Sequence, residues 1–312
     1  VMSEIANEFD RQGFDIHFVI MSGAIKEDFY SLNPSIFVYR LGFENNSGIN
    51  KVFSGIQIFF KFRNILKNQN PDAVLCFGTK YNIFTIFASK FLKLKVFVSD
   101  RSNPKKELPI ILNWLRNVTY PSATGIIAQT SFAKDFSISQ YKNENIKIIP
   151  NPVRRVKTFP PIYKEKIILN VGRMVPEKGQ KYLLEIISKM DLINWKLVIL
   201  GDGPLRNDLE LQIKSLNIED KVIMPGAVNN VDEWLARSSI FAFTSISEGF
   251  PNVLLESMSA GVPCISFDCD AGPRDIITNG VDGFLIPFLN SDTYLQGLLE
   301  LMNNDELRKK LG

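Results

Sequence analysis

One histidine, His17, and three cysteines are the whole supply of these metal-binding and redox side chains in 312 residues. Cys76, Cys264 and Cys269 form no CxxC pair, and a lone imidazole cannot complete a zinc set with them. A disulfide scaffold and a zinc fold are thereby excluded, and reduced thiols are expected. Histidine general-base chemistry has only His17 to draw on, and that residue falls in a strand-like run where a structural role is expected. No GxxxxGK[ST] occurs, so there is no Walker loop. No apolar run reaches the roughly 18–20 residues that span a bilayer, and the best, 82–99, is broken by Lys90, Lys93 and Lys95. No signal-peptide pattern opens the chain, so a cytoplasmic location is expected. Repeats and low-complexity tracts are also missing.

Net charge is small as well: 36 Lys/Arg against 33 Asp/Glu leave +3. That balance hides an asymmetry. Residues 1–155 carry 20 basic and 12 acidic side chains, or +8, whereas 156–312 carry 16 and 21, or −5. A basic half faces an anionic surface, membrane or nucleic acid, or simply presents solvated lysines. With 45% apolar residues the chain is globular, and its length fits two domains of roughly 150 residues.

Strand-like and helix-like runs alternate throughout, which predicts parallel sheets covered by helices. The first half opens on a helix at 1–12 stopped by Gly13. Strands are expected at 15–21, 36–40, 72–77, 96–99, 125–128 and 147–149, with helices near 49–68, 82–91, 109–120 and 132–140. A Pro-rich, basic, aperiodic stretch at 150–161 reads as the linker between domains 1–155 and 156–312. Strands then follow at 167–171, 196–200, 222–224, 240–244, 264–267 and 284–286. Helices fill 180–190, 204–216, 231–236, 251–260, 273–278 and 291–302. Two doubly wound α/β domains facing a cleft result, with ligands expected at the carboxyl ends of the strands.

Four loops of the second half carry the chemistry. In Ser245 to Glu256 a strand turns through Gly249 into a helix led by Pro251, so amides around Asn252–Leu254 offer an anion site. Glu248 precedes that helix and Glu256 lies inside it, either as acceptors for sugar hydroxyls or as an ordinary capping and surface pair. In Val171 to Gly179 another strand end delivers Arg173 and Lys178, two cations suited to a diphosphate. Leu200-Gly-Asp-Gly203-Pro204 and Gly272-Pro273-Arg274-Asp275 are glycine-led turns toward the same rim, either for close ligand approach or as plain turn chemistry.

The order VGRMVPEKG, GDGPL, PGAV, SEGFPNVLLESMSAGVPCIS, GPRDII and GVDGFLI resembles retaining glycosyltransferases of family 4, from about residue 167 to 287. The first half resembles them more loosely, through its opening helix–strand unit, VSDRSNP at 98–104 and IIPNP at 148–152. The resemblance implies the GT-B fold, a nucleotide-sugar donor with UDP favoured, retention of anomeric configuration, and neither metal nor cofactor. By matching position, Arg173 and Lys178 would bind the diphosphate, Glu248 the donor sugar, and Glu256 the ribose. Backbone around Gly249, Phe250, Pro251, Asn252, Val253 and Leu254 would touch sugar and phosphate. Gly203 would lie close by, and the base near Gly226 and Val228. Family members begin with a strand and glycine-rich loop and end with a crossover helix, and both are expected to be missing from this stretch.

The implied function is transfer of a hexose or N-acetylhexosamine to a lipid-linked or oligosaccharide acceptor in cell-surface glycan synthesis. Asp100, Arg101 and Asn103, after a strand end, are candidates for the acceptor side. Peripheral contact with the anionic inner leaflet is expected through Lys105, Lys106 and Arg116, near Ile110, Ile111, Leu112 and Trp114. Core packing is the alternative for that apolar stretch. An epimerase or hydrolase of the same fold would turn over donor without acceptor, and a non-catalytic binding module would tolerate loss of Glu248. Nucleic-acid binding, motivated only by the basic half, is not expected.

Overall fold

Alternating apolar runs become parallel strands between layers of helices, in two separate units. The computed structural model describes residues 1–22, 31–43, 49–154, 156, 157, 159 and 163–312. The expected linker falls partly outside them, at 155, 158, 160 and 161. Unit 1 is Val1–Arg101, Lys105–Ala128 and Lys134–Pro152, and unit 2 is Ser102–Pro104, Gln129–Ala133 and Val153–Gly312.

The first half runs α1 (Met2–Arg11), β1 (His17–Ser22), β2 (Phe37–Phe43), α2 (Ile49–Gln69), β3 (Ala73–Phe77) and α3 (Thr79–Ser89). It continues with β4 (Lys95–Ser99), α4 (Ile110–Thr119), β5 (Gly125–Ala128), α5 (Ser131–Gln140) and β6 (Ile146–Ile148). β1 pairs with β2, and β3-β4-β5-β6 form a second sheet, all parallel. His17 is structural: its ring stacks on Phe37 at 5.2 Å and its Nδ1 lies 3.2 Å from the Tyr39 hydroxyl.

α4 departs from expectation. Arg116, assigned to a membrane-facing surface, is buried. Its guanidinium donates to Asn113 Oδ1 at 2.8 Å and sits over the Tyr141 ring, 5.5 Å from the centroid. A buried carboxylate lies in the same region. Asp100 Oδ1 accepts from Thr79 Oγ1 (2.9 Å), Tyr120 OH (2.9 Å) and Asn82 Nδ2 (3.1 Å). Burial raises the Asp100 pKa while those donors and the Arg116 charge oppose the rise. The apolar stretch itself is not core: Ile110, Ile111 and Trp114 are exposed, and Leu112 is half-buried.

The second half runs β7 (Glu165–Val171), α6 (Gln180–Ser188), β8 (Lys196–Leu200), α7 (Arg206–Ser215), β9 (Val222–Gly226) and α8 (Val231–Arg237). Then come β10 (Ser238–Phe243), α9 (Asn252–Ser259), β11 (Cys264–Phe267), α10 (Pro273–Ile276), β12 (Phe284–Ile286), α11 (Ser291–Asn303) and α12 (Asp305–Leu311). The sheet order is β12-β11-β10-β7-β8-β9, with every pair parallel. Period-two alternation divides its strands between two cores. Ile168, Leu197, Ile199, Ile240 and Phe267 pack on one side with residues of α6, α7 and α11. Ile167, Leu169, Val198, Phe241 and Phe243 pack on the other with Leu235 and Leu254. Burial of both faces is why these strands read as unbroken apolar runs. α12 was not foreseen; the Asn304 side chain caps it by accepting from Leu307 N at 2.9 Å.

Candidate functional site

Strand order creates the site. The chain leaves β7 toward β8 and β9, then returns to the opposite side of β7 to place β10, β11 and β12. The helices after β7 and β10 therefore pack on opposite faces of the sheet, and the carboxyl ends of these two strands are where doubly wound sheets receive ligands.

The two loops that leave these strands are joined by hydrogen bonds. Glu177 O accepts from Ile246 N at 2.8 Å, and the Thr244 hydroxyl donates to Lys178 O at 3.4 Å. This seam brings the Lys178 ammonium to 2.6 Å from Glu248 Oε1, across 70 residues of sequence. The lysine stem lies along Gly172, and its Nζ is 5.9 Å from the centroid of the Phe243 ring. Arg173 sits at the end of β7, exposed, with no hydrogen-bond or ion-pair partner for its guanidinium among the described residues. Its carbonyl accepts from Gln180 Nε2 at 3.3 Å.

The helix after Glu248 begins one residue later than expected, with Pro251 at its N-cap and Asn252 as first helical residue. The amides of Asn252 and Leu254 close local turns, to Phe250 O and Pro251 O, each at 3.1 Å. Phe250 and Leu254 are buried, Val253 is half-buried, and Gly249 lies buried in the turn. Gly203 is required by the protein's own backbone: a Cβ there would stand 2.5 Å from Met174 O. Gly226 O accepts from Gly201 N at 2.9 Å, and half-buried Val228 joins the second core. The Gly272 turn seats on Pro251, where a Cβ would fall 2.2 Å from the ring.

The model for glycosyl transferases group 1 matches residues 156–312, and that for glycosyltransferase family 4 matches residues 1–155. The chain is a group 1 glycosyltransferase. It is similar to a Campylobacter jejuni enzyme named GalNAc-alpha-(1->4)-GalNAc-alpha-(1->3)-diNAcBac-PP-undecaprenol alpha-1,4-N-acetyl-D-galactosaminyltransferase, 32% identical over 91% of this chain and 80% of that one. The amylovoran biosynthesis glycosyltransferase AmsD of Erwinia amylovora is 27% identical over 90% and 82%. Among solved structures, the lipopolysaccharide outer core galactosyltransferase WaaB superposes with TM-score 0.73 at 22% identity, covering 95% of this chain and 94% of that one. Its fold is GT-B, with two Rossmann-like α/β domains.

Two residues joined to Glu256 in this glycosyltransferase escaped the sequence reading. Arg154 holds Asp232 through Nη1–Oδ2 (3.0 Å) and Nη2–Oδ1 (2.5 Å), and reaches Glu256 through Nε–Oε1 (3.1 Å) and Nη2–Oε2 (3.2 Å). Glu256 is thus fixed by a guanidinium. Asp232 also accepts from Lys157 N at 2.9 Å. Arg154 hydrogen bonds, and then that amide, hold the Asp232 carboxyl below its ordinary range against the opposing effect of burial. A depressed folded value contributes stability above the unfolded value of about 3.9, lost as pH falls through the folded one. Asp232→Asn should therefore cost about 1 kcal/mol at pH 7, read as a drop of ~3 °C in Tm. The gap between variant and wild type should close as melts are taken below about pH 4.

The metal-free expectation passed over a DxD triplet, Asp268-Cys269-Asp270. Asp268 is engaged by Arg274 at two points, both 2.9 Å. The acceptor-side candidates separate. Asp100 belongs to the buried network under α4, and Arg101 donates to Asn151 Oδ1 while its guanidinium lies 3.9 Å from the Phe77 centroid. Asn103 groups with unit 2, where its Nδ2 donates to Ser247 Oγ at 3.0 Å.

Proposed function

We propose that this enzyme transfers a hexose or N-acetylhexosamine from a UDP-sugar to a lipid-diphosphate-linked acceptor, with retention and without a metal. The single observation carrying this reading is the Lys178–Glu248 pair at the point where the sheet reverses. Without donor, the two charges neutralise each other. An arriving diphosphate takes the ammonium, with Arg173 as second cation, and the released Glu248 carboxylate accepts hydrogen bonds from sugar hydroxyls. As the glycosidic bond breaks, negative charge grows on the leaving diphosphate and positive charge at the anomeric carbon. Fixed cations on the diphosphate side lower that barrier more than they stabilise the bound donor. The acceptor hydroxyl attacks the same face, and its proton passes to the leaving phosphate oxygen.

Glu256, oriented by Arg154, receives the ribose hydroxyls in this reading, and the base lies near Gly226 and Val228. Gly249, Phe250, Asn252 and Val253 supply backbone contacts, and Pro251, Leu254 and Gly203 shape the floor. UDP is favoured because the structures of TarM and of HepE, similar in fold, were solved with UDP. A lipid-linked acceptor is favoured because relatives are named for undecaprenol diphosphate substrates. The same reading puts the enzyme in the cytoplasm at the inner leaflet; no described helix is long and apolar enough to cross a membrane.

A thermal-shift screen of UDP-, GDP- and ADP-sugars tests the donor. A ligand at 100 times its Kd adds about 2.7 kcal/mol, so the matching nucleotide sugar should raise Tm by ~5 °C or more. A GDP- or ADP-sugar giving the larger rise rejects UDP. No response to any of the three rejects the donor site.

A further inference from the structure

Ile246, Ser247 and Glu248 form a half-buried span between two buried stretches, Thr244–Ser245 at the end of β10 and Gly249–Phe250 before α9. With little core to hold it, such a span keeps its place through polar contacts. Ile246 N donates to Glu177 O at 2.8 Å, and the Glu248 carboxylate takes Lys178 Nζ at 2.6 Å. The residue between them is held differently. Ser247 N reaches Glu177 O only at 3.4 Å, longer than an ordinary N–H···O bond. Its side chain does better: Ser247 Oγ accepts from Asn103 Nδ2 at 3.0 Å, across 144 residues of sequence.

Asn103 suits that task. Ser102–Pro104 groups with unit 2 although it lies in the first half of the sequence. Pro104 biases the residue before it toward extended backbone, so the amide is presented with little freedom to lose. Being neutral, it holds the neighbour of Glu248 without competing with Lys178 for the carboxylate.

Donor binding makes this bond matter more. In the function proposed above, the diphosphate takes the Lys178 ammonium and Glu248 loses that partner. Ser247, one residue away, keeps its bond to Asn103, so the peptide carrying Glu248 stays where the ion pair left it. A carboxylate already in place receives a sugar at a lower ordering cost than one free to swing.

We infer that Asn103 is a positioning residue for Glu248, acting through the Ser247 hydroxyl, and not a contact for the acceptor. Its effect on sugar binding rests on the donor reading above; the link between the two residues does not.

Hydrogen exchange and calorimetric titration on the whole chain test it, with UDP and UDP-N-acetylgalactosamine as probes. In the donor-free enzyme, Asn103→Ala should speed amide exchange at 246–249 about tenfold and leave other segments as in wild type. The same variant should weaken binding of the nucleotide sugar about fivefold while the Kd for UDP alone stays unchanged. Ser247→Ala should match it, and the double variant should lose no more than either single one. Ser247→Thr, which keeps the hydroxyl, should recover most of the loss. Unchanged exchange in Asn103→Ala overturns the inference, and returns Asn103 to the acceptor side. Losses that multiply in the double variant overturn it too, as does a loss of UDP affinity equal to that for the nucleotide sugar. Glu248→Gln separates this inference from the donor reading. If Glu248→Gln leaves the preference for nucleotide sugar over UDP intact while exchange in Asn103→Ala rises as stated, the sugar role of Glu248 falls and the positioning stands. If Glu248→Gln removes that preference and Asn103→Ala does not touch it, the inference falls and the donor reading stands.

Discussion

Lys178→Met should lower kcat/KM by about 10²–10³-fold, the scale for removing one preorganised charge from a transition state. The methionine keeps most of the stem that lies along Gly172, so the loss reports the ammonium rather than the packing. Most of it should appear in kcat, because charge on the diphosphate is larger in the transition state than in the bound donor. Lys178→Arg should recover little. The stem lies along Gly172 and delivers a point charge to Glu248 at 2.6 Å, which a longer, planar guanidinium fork does not reproduce. Glu248→Gln should also fall, but with the sugar-dependent part of KM affected, since it frees the lysine while losing a hydroxyl acceptor. Initial rates over a donor series check all three. A loss below tenfold for Lys178→Met would remove the central claim of the mechanism.

Much of this arrangement was legible because its signals are local. Gly172, Gly179 and the Gly249-Phe250-Pro251 turn punctuate apolar strands, and such punctuation marks a strand end whatever the tertiary fold. Partnership was less visible. Lys178 and Glu248 could be placed on two strand ends of one sheet, yet their 2.6 Å contact depends on the order β10-β7, which alternation alone leaves open. Arg154 sits in an aperiodic proline-rich stretch, and Asp232 looks like any acidic residue in a first helical turn, so neither carried a periodic or motif signal. α4 misled in another way. A basic residue on an apolar helix reads as the exposed one, and here Arg116 is the buried one, held by Asn113 and the Phe136 and Tyr141 rings. α12 was missed because seven residues hold too little periodicity, although Asn304 before Asp305-Glu306 is a capping signal.

The seam between the two rim loops should be intolerant of a single added methyl group. Gly179 adopts φ +62, and a Cβ placed on it would stand 2.1 Å from Thr244 O, a backbone atom at the end of β10. Gly179→Ala therefore meets two costs. The left-handed conformation is worth about 1–2 kcal/mol against an L side chain, and displacing packed backbone adds about 1–3 kcal/mol. A total near 3 kcal/mol predicts a fall in Tm of ~10 °C. Gly280→Ala separates the two terms, because Gly280 has φ +76 with nothing within 4 Å of the added carbon. It should lose only the conformational part, ~3–5 °C. Activity should divide the pair more sharply than stability. Pushing Thr244 from Gly179 opens the seam that carries Lys178 to Glu248, so Gly179→Ala should be nearly inactive even at temperatures where it is folded, whereas Gly280→Ala should retain wild-type rates. Calorimetric melts and rates measured below both midpoints decide it; equal losses in the two variants would mean that backbone contact across the seam does not position the lysine.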